Sequence, residues 1–321
     1  MTGLRMASVS YVMPVLNEER YLRAAVESIF TQDFSGPVEV ILALGPSTDG
    51  TDAIARELAA ELRVRLVANP SGTTSAGLNA AIDAASNDVV VRVDAHSKLS
   101  AGYTKLAVEI LNETGAANVG GVMRAVGHTP FQTAVAWSYT SRVGLGGGTF
   151  HVGGQAGPSD SVYLGVFRRE VLRQLGGFDV GVIRGQDWEL NLRIRQAGLV
   201  VWFDPRLEVE YHPRSSWNKL AKQFFDTGFW RGQLTRRSLR SANPRYFAPP
   251  LLVVGSAIGV VLGSAGWAWG WLPLGAYVCA VVLVALTAKL SLAARFALLV
   301  ALPTMHFAWG AGFIPGFLRT S

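Results

Sequence analysis

The chain has 321 residues and a formal net charge of +6, with 16% charged residues against 50% hydrophobic ones. That balance excludes a disordered, self-repelling polypeptide and implies one large globular core plus segments that seek an apolar solvent. A single cysteine, Cys279, excludes an intrachain disulfide framework and a cysteine metal site. Residues 1–10 are too polar for the apolar region of a signal peptide, and no internal repeat or low-complexity stretch interrupts the chain.

Taken in order, SerValSerTyrValMetProValLeuAsn reads as a buried strand ending at Pro14, followed by a helix from about Glu19 to Thr31 with Leu22, Ala25, Val26, Ile29 and Phe30 on one side. ValGluValIleLeuAlaLeu at 38–44 is a second strand, and GlyProSerThrAspGlyThr at 45–51 is a turn with capping residues. A helix with Ile54, Leu58 and Leu62 inward, a strand at 64–68, a helix from Thr74 to Ala85 and a strand at 88–94 complete the series. Strand and helix alternate, which predicts an α/β domain with a mainly parallel sheet, covered by helices on both faces. Ligands of such sheets bind outside the carboxyl ends of the strands, where Asn17, Ser47, Asp49, Asn79 and Asp94 fall.

Beyond these elements, the 144–157 stretch is too glycine-rich for a regular element and reads as a mobile loop. It is not a phosphate loop, because no strand and lysine-bearing helix flank it. Asp160, just after it, is either a ligand contact or a turn residue. GlyGlnAspTrpGluLeuAsnLeuArg at 185–193 places an acid, Asp187, at the start of a helix.

The last third differs in composition. Residues Arg214 to Arg245 hold eight Lys or Arg and one acid, Asp226, interleaved with Trp217, Phe224, Phe225, Phe229 and Trp230, as expected of a helix lying in a membrane interface. No charge occurs from Tyr246 to Ala288 or from Phe296 to Leu318, against about 20 apolar residues needed for a crossing. Gly266, Gly270 and Pro273, around Trp267, Trp269 and Trp271, mark a turn, so three spans are expected in 246–321. The flanking Lys and Arg, with Lys289 and Arg295 in the second loop, predict that the N-terminal domain and the 214–245 segment face the cytoplasm. The Trp269 turn and the tail at Ser321 would then lie outside. The basic surplus beside a membrane, with no nucleic-acid motif around it, points to anionic membrane lipids and not to nucleic acid.

ProValLeuAsnGlu, SerThrAspGlyThr, GlyLeuAsnAlaAlaIle, ValAspAlaHis and GlyGlnAspTrpGlu occur in the order seen in family 2 glycosyltransferases, over about residues 8–240. The chain resembles a GT-A (Rossmann-like) enzyme of that family, most similar to the membrane-bound transferases of succinoglycan biosynthesis. The resemblance implies a cytoplasmic catalytic domain at 1–213. It also implies inverting hexosyl transfer from a nucleotide-sugar donor to a lipid-linked saccharide, with Mn2+ or Mg2+ as cofactor. Asp187 is then the catalytic base, and Asp94 the donor-side metal ligand. His96, in an AspAlaHis version of the family's two-acid motif, is a second ligand or a surface residue, and His212 a ligand or a structural residue. Pro14, Glu18 and Asn79 are donor contacts, and Asp49 a donor contact or a helix cap. Asp160, Gln186 and Arg231 would meet the acceptor. Trp188 is a sugar platform or core. Two departures stand out: LeuGlyPro at 44–46 replaces the acid expected to read the base, and Gln186 replaces the first acid of a GluAsp pair. Transfer directly onto polyprenyl phosphate shares all these features. A nucleotide-binding membrane scaffold that has lost chemistry is the alternative from another class.

Overall fold

The structure is a computed structural model that describes residues 7–239 and 242–319. It divides into two compact units, one formed by residues 1–124 and 149–211, the other by 125–148 and 212–321. The stretch 125–148, expected within a catalytic domain at 1–213, therefore groups with the apolar helices, because the helix Pro130–Thr140 packs against the last helix of the chain.

In the first unit, β1 (Val9–Val15), β2 (Val38–Leu44), β3 (Arg65–Ala68) and β4 (Val89–Arg92) alternate with α1 (Leu22–Phe30), α2 (Thr51–Leu62) and α3 (Thr74–Ala84). The chain continues through β5 (Ser97–Leu99), α4 (Tyr103–Thr114) and β6 (Asn118–Ala125). The sheet order is β3-β2-β1-β4-β8-β6-β9-β5, where β8 is Tyr163–Arg168 and β9 is Val201–Tyr211, and the short β7 (Gly157–Pro158) pairs with β9. Strands β3, β2, β1 and β4 run parallel, while β8 is antiparallel to both β4 and β6. Two helices, α8 (Arg169–Gln174) and α9 (Gln186–Gln196), lie between β8 and β9.

The apolar runs follow from burial on both faces. Val9, Tyr11, Met13 and Val15 of β1 enter one core cluster and Val12 enters the other, while Val40 and Leu42 of β2 are separated from Ile41 and Ala43 in the same way. This period of two lets one continuous apolar strand feed two cores. Each such side chain contributes about 1.5–3 kcal/mol by leaving water. Chain order reverses beside β1, which has β2 on one side and β4 on the other. The carboxyl ends of β1 and β4 thus flank the switch point where open α/β sheets bind ligands.

The second unit contains α5 (Pro130–Thr140), α6 (Arg142–Leu145), α10 (Trp217–Arg237), α11 (Ala248–Ser264), α12 (Leu272–Thr287) and α13 (Leu292–Leu318). Residues 144–157, expected to lack regular structure, hold α6 and a second single turn, α7 (Thr149–Val152), with positive φ at Gly146, Gly147 and Gly153. Three helices, Pro244–Ser264, Ala268–Thr287 and Leu292–Leu318, are long and apolar enough to cross a membrane.

Helix α10 is more than a surface element, because its face of Leu220, Phe224, Gly228 and Gly232 is buried and it packs along α13. The two backbones touch through glycines. A Cβ on Gly228 would strike the Trp309 carbonyl, one on Gly232 that of Phe313, one on Gly312 that of Phe225, and one on Gly316 that of Phe229. Pairs of glycines four apart on both helices allow this approach. Along the seam, Trp217 Nε1 donates to Thr304 Oγ1 at 2.8 Å, and the Arg236 guanidinium donates to the carbonyls of Phe317 and Leu318 at 3.0 and 3.2 Å. The ends of α10 and α13 therefore lie side by side. Ser321, the tail residue expected outside, lies beyond the described residues.

Candidate functional site

The site grows from the carboxyl ends of β1, β2 and β4. After β1, Asn17 turns the chain at φ 56°. Its side-chain Oδ1 accepts from the Thr48 amide at 2.8 Å, and its backbone amide donates to Ser47 Oγ at 3.1 Å. The Glu18 amide donates to Thr51 Oγ1 at 2.7 Å, and Asp49 accepts from the Thr51 amide at 3.1 Å. These bonds stitch the ProValLeuAsnGlu loop to the SerThrAspGlyThr loop. They also use the exposed Asp49 in the turn that opens α2, which favours its structural reading; the Thr51 hydroxyl in particular holds its carboxyl below the usual range.

After β4 the chain supplies Asp94 and His96. His96 Nδ1 is 2.8 Å from Glu18 Oε1, so the loops after β1 and β4 are bridged across the switch point. Asp94 Oδ1 accepts from Arg92 Nε and an Arg92 terminal nitrogen at 3.2 and 3.0 Å. The other terminal nitrogen of Arg92 is ion-paired with Asp187 Oδ1. The Arg92 side chain is 4% exposed, Asp94 19% and Asp187 31%, and Phe178 packs with the guanidinium 5.9 Å from its ring centroid. One buried arginine thus joins the expected donor-side acid to the expected base. Sequence reasoning missed it, although an arginine inside a run of valines in a central strand is itself a signal that a counter-charge waits inside.

Asp187 is carried on the first turn of α9, whose N-cap is Gly185 at φ 80° with no side-chain cap. It is therefore not the capping residue. Buried polar bonds fix α9: Asn118 Nδ2 donates to Asn191 Oδ1 at 2.7 Å, Asn191 Nδ2 donates to Ser161 Oγ at 3.0 Å, and Arg193 binds Glu189 and the carbonyls of Leu175 and Gly177. These bonds set one orientation for the helix, with Asn118 Oδ1 left without a partner among the described residues.

Other expected site residues do not join this group. Both ends of the Asn79 amide are bound to the Phe178 backbone at 2.8 Å, which anchors the turn before α9 and replaces its reading as a donor contact. Trp188 is 6% exposed, so it packs as core and offers no open ring to a sugar. Asp160 is paired with Arg195 at 3.3 Å. Pro14 sits in β1 opposite Ala43, and Gln186 begins α9 beside Asp187. His212 belongs to the helical unit, where its ring lies 5.1 Å from that of His128. Arg231, half-buried in α10, lies over the Tyr246 ring at 4.7 Å, and desolvation pulls its guanidinium below the usual value.

Residues 10–176 match Glycosyl transferase family 2. Over 308 residues, 94% of this chain and 92% of the relative, the sequence is 32% identical to the succinoglycan biosynthesis protein ExoA of Rhizobium meliloti (strain 1021). The chain belongs to glycosyl transferase family 2. It is a glycosyltransferase with a GT-A-type domain followed by long apolar helices. A second relative, 25% identical over 71% of this chain and 74% of its own length, is the dolichyl N-acetyl-alpha-D-glucosaminyl phosphate 3-beta-D-2,3-diacetamido-2,3-dideoxy-beta-D-glucuronosyltransferase of Methanococcus voltae. Among solved structures, the mannosyltransferase PcManGT from Pyrobaculum calidifontis, in complex with GDP-Man and Mn2+, aligns with a TM-score of 0.60 at 21% identity, covering 97% of this chain and 87% of that one. S. aureus TarS 1–349 in complex with UDP-GlcNAc aligns at 0.54 and 15% identity, over 93% and 89% of the two chains. Both likenesses bear on the fold.

For a family 2 enzyme the metal question turns on Asp94 and His96. Among the described residues no three His, Cys, Asp or Glu side chains converge as a ready metal site. A hard divalent cation in a nucleotide enzyme needs only one or two protein ligands, since substrate phosphates supply the rest. Asp94 fits that role. The bond from His96 Nδ1 to Glu18 has the form of the carboxylate–histidine pairs that orient a metal-bound imidazole, with Nε2 as the coordinating atom.

Proposed function

We propose that this protein is an inverting, membrane-bound transferase that moves one sugar from a nucleotide-sugar donor to a lipid-linked saccharide in the synthesis of a surface polysaccharide or glycolipid. The observation that carries this reading is the Asp94–Arg92–Asp187 cluster at the switch point. Asp187 takes the proton from the acceptor hydroxyl, that oxygen attacks the anomeric carbon, and the nucleoside diphosphate leaves from the opposite face, so the configuration inverts. Arg92 holds the Asp187 carboxylate at a fixed distance from the donor side. Glu18, His96 and the stitched loops at 17–19 and 47–51 border the nucleotide. A divalent cation, Mn2+ or Mg2+, held by Asp94 and His96 would offset the charge that develops on the diphosphate.

The relative in succinoglycan biosynthesis supports a polysaccharide product, and the dolichyl-linked relative supports a lipid-borne acceptor. The basic stretch and the apolar helices support a cytoplasmic-membrane location with the catalytic unit on the cytoplasmic face.

The test is nucleotide release by the purified full-length protein, with Mn2+, a panel of UDP-, GDP- and dTDP-sugars and a lipid extract. One donor should be consumed, and Asp187→Asn should slow release by roughly 10²–10⁴-fold while donor binding persists. Release that is insensitive to Asp187→Asn would remove the base from the mechanism. Products made with polyprenyl phosphate and with a lipid-linked saccharide, run side by side, separate the two acceptor classes.

A further inference from the structure

The helical unit contains a cavity of about 210 Å3 lined by Gln233, Arg236, Arg237 and Arg319. Three arginines and a glutamine line it, and among the described residues no carboxylate does. Arg236 and Arg237 form the last turn of α10, and Arg319 follows the last turn of α13. The glycine contacts at Gly232 and Gly316 hold these two helix ends together, so the arginines are presented by rigid backbone. A bland reading is that they cap α13, whose terminal carbonyls attract cations. Arg236 does that, through the carbonyls of Phe317 and Leu318. The Arg319 guanidinium instead lies 5.8 Å from the Phe229 ring centroid.

Arginine forks match the oxygens of a phosphate in pairs, which lysines do not. At about 30 Å3 per liquid water the cavity has room for several waters, hence for a phosphate or diphosphate, but it is smaller than a pocket for a whole drug-sized ligand. Next to the lining residues in sequence, Leu239 and Leu318 are 60% and 68% exposed, apolar neighbours suited to a hydrocarbon tail. We propose that this cavity binds the phosphate or diphosphate ester of a membrane lipid, with the acceptor's polyprenyl diphosphate as its specific occupant. The choice of that occupant rests on the lipid-linked reading of the acceptor given above.

The experiment uses the full-length protein in detergent and measures binding of a short-chain polyprenyl diphosphate, of short-chain phosphatidylglycerol and of inorganic pyrophosphate. The variants are Arg237→Gln/Arg319→Gln and, keeping the charge, Arg237→Lys/Arg319→Lys. Polyprenyl diphosphate should bind at least tenfold more weakly to the Gln pair, with the Lys pair between it and the parent, and donor-nucleotide binding unchanged in all three. A photoreactive polyprenyl diphosphate should label peptides 229–239 and 313–319 of the unsubstituted protein, a readout that does not depend on either variant folding. Unchanged lipid affinity in the Gln pair, or labelling elsewhere, overturns the site. Equal binding of phosphatidylglycerol supports the lipid phosphate site and overturns the acceptor as its specific occupant, whereas pyrophosphate binding that neither lipid displaces overturns the lipid source. If the site binds polyprenyl diphosphate while no lipid-linked saccharide supports nucleotide release, the cavity stands and the acceptor reading fails.

Discussion

The sheet unit and the helical unit treat arginine in opposite ways. In the sheet unit one buried guanidinium, Arg92, is shared by two carboxylates, so the cluster carries a net negative charge. In the helical unit three arginines line one cavity with no acid among the described residues of its wall. Between these extremes stands a one-to-one pair, Asp204 with Arg206, whose bonds of 2.9 and 2.8 Å join a buried carboxylate to an exposed guanidinium. The ratio of cations to acids tells what each place can receive. The first suits cations and proton transfer, the second a polyanion, and the third needs nothing further.

Substitutions sharpen this contrast, beginning with the one of largest effect. Arg92→Met would leave Asp94 and Asp187 without their shared counter-charge, and should lower unfolding stability in urea by about 3 kcal/mol, at the low end for a broken buried pair because both acids keep some exposure. A loss under about 1 kcal/mol would show that water already satisfies the two carboxylates. Next in size, Gly316→Val places a side chain against the Phe229 carbonyl and should cost about 1–3 kcal/mol by overpacking. Its signature is weaker lipid-phosphate binding with donor binding intact; a fall in donor binding alone would show that the glycine seam serves the other unit.

The smallest effect is expected at the balanced pair. Arg206 holds the Asp204 carboxyl below its ordinary range, so the pair adds stability above the unfolded value of about 3.9 and loses it as pH falls through the lower folded value. Asp204→Asn should therefore cost about 1 kcal/mol at pH 7 and progressively less on acidification below about pH 4, read from denaturant midpoints at several pH values. A cost that grows on acidification would reverse the assigned sign.

Much of the sheet unit was legible because its signals are local. The period of two in β1 and β2, the loops at 45–51 and the acids at 94 and 187 each announce themselves within a few residues. What escaped the sequence depends on distant partners. Arg92 looks like a polar interruption in a strand until Asp187, 95 residues away, closes on it. Trp188 carries a side chain typical of ligand contacts, and only the packing around α9 shows that it is covered. The Gly228 and Gly232 pair was visible as a spacing, but α10 is too charged to suggest a helix seam until the matching glycines of α13 face it.

Arg92 also bears on how such an enzyme can decay. Catalytic groups are often a burden on the native state, so that their loss stabilises the protein and inactive descendants accumulate readily. Here the acid proposed as the base is also the counter-ion of a side chain embedded in the central sheet. A lineage that discards Asp187 must also replace Arg92 or live with a weakened fold, so inactivity is reached through two linked changes and not one.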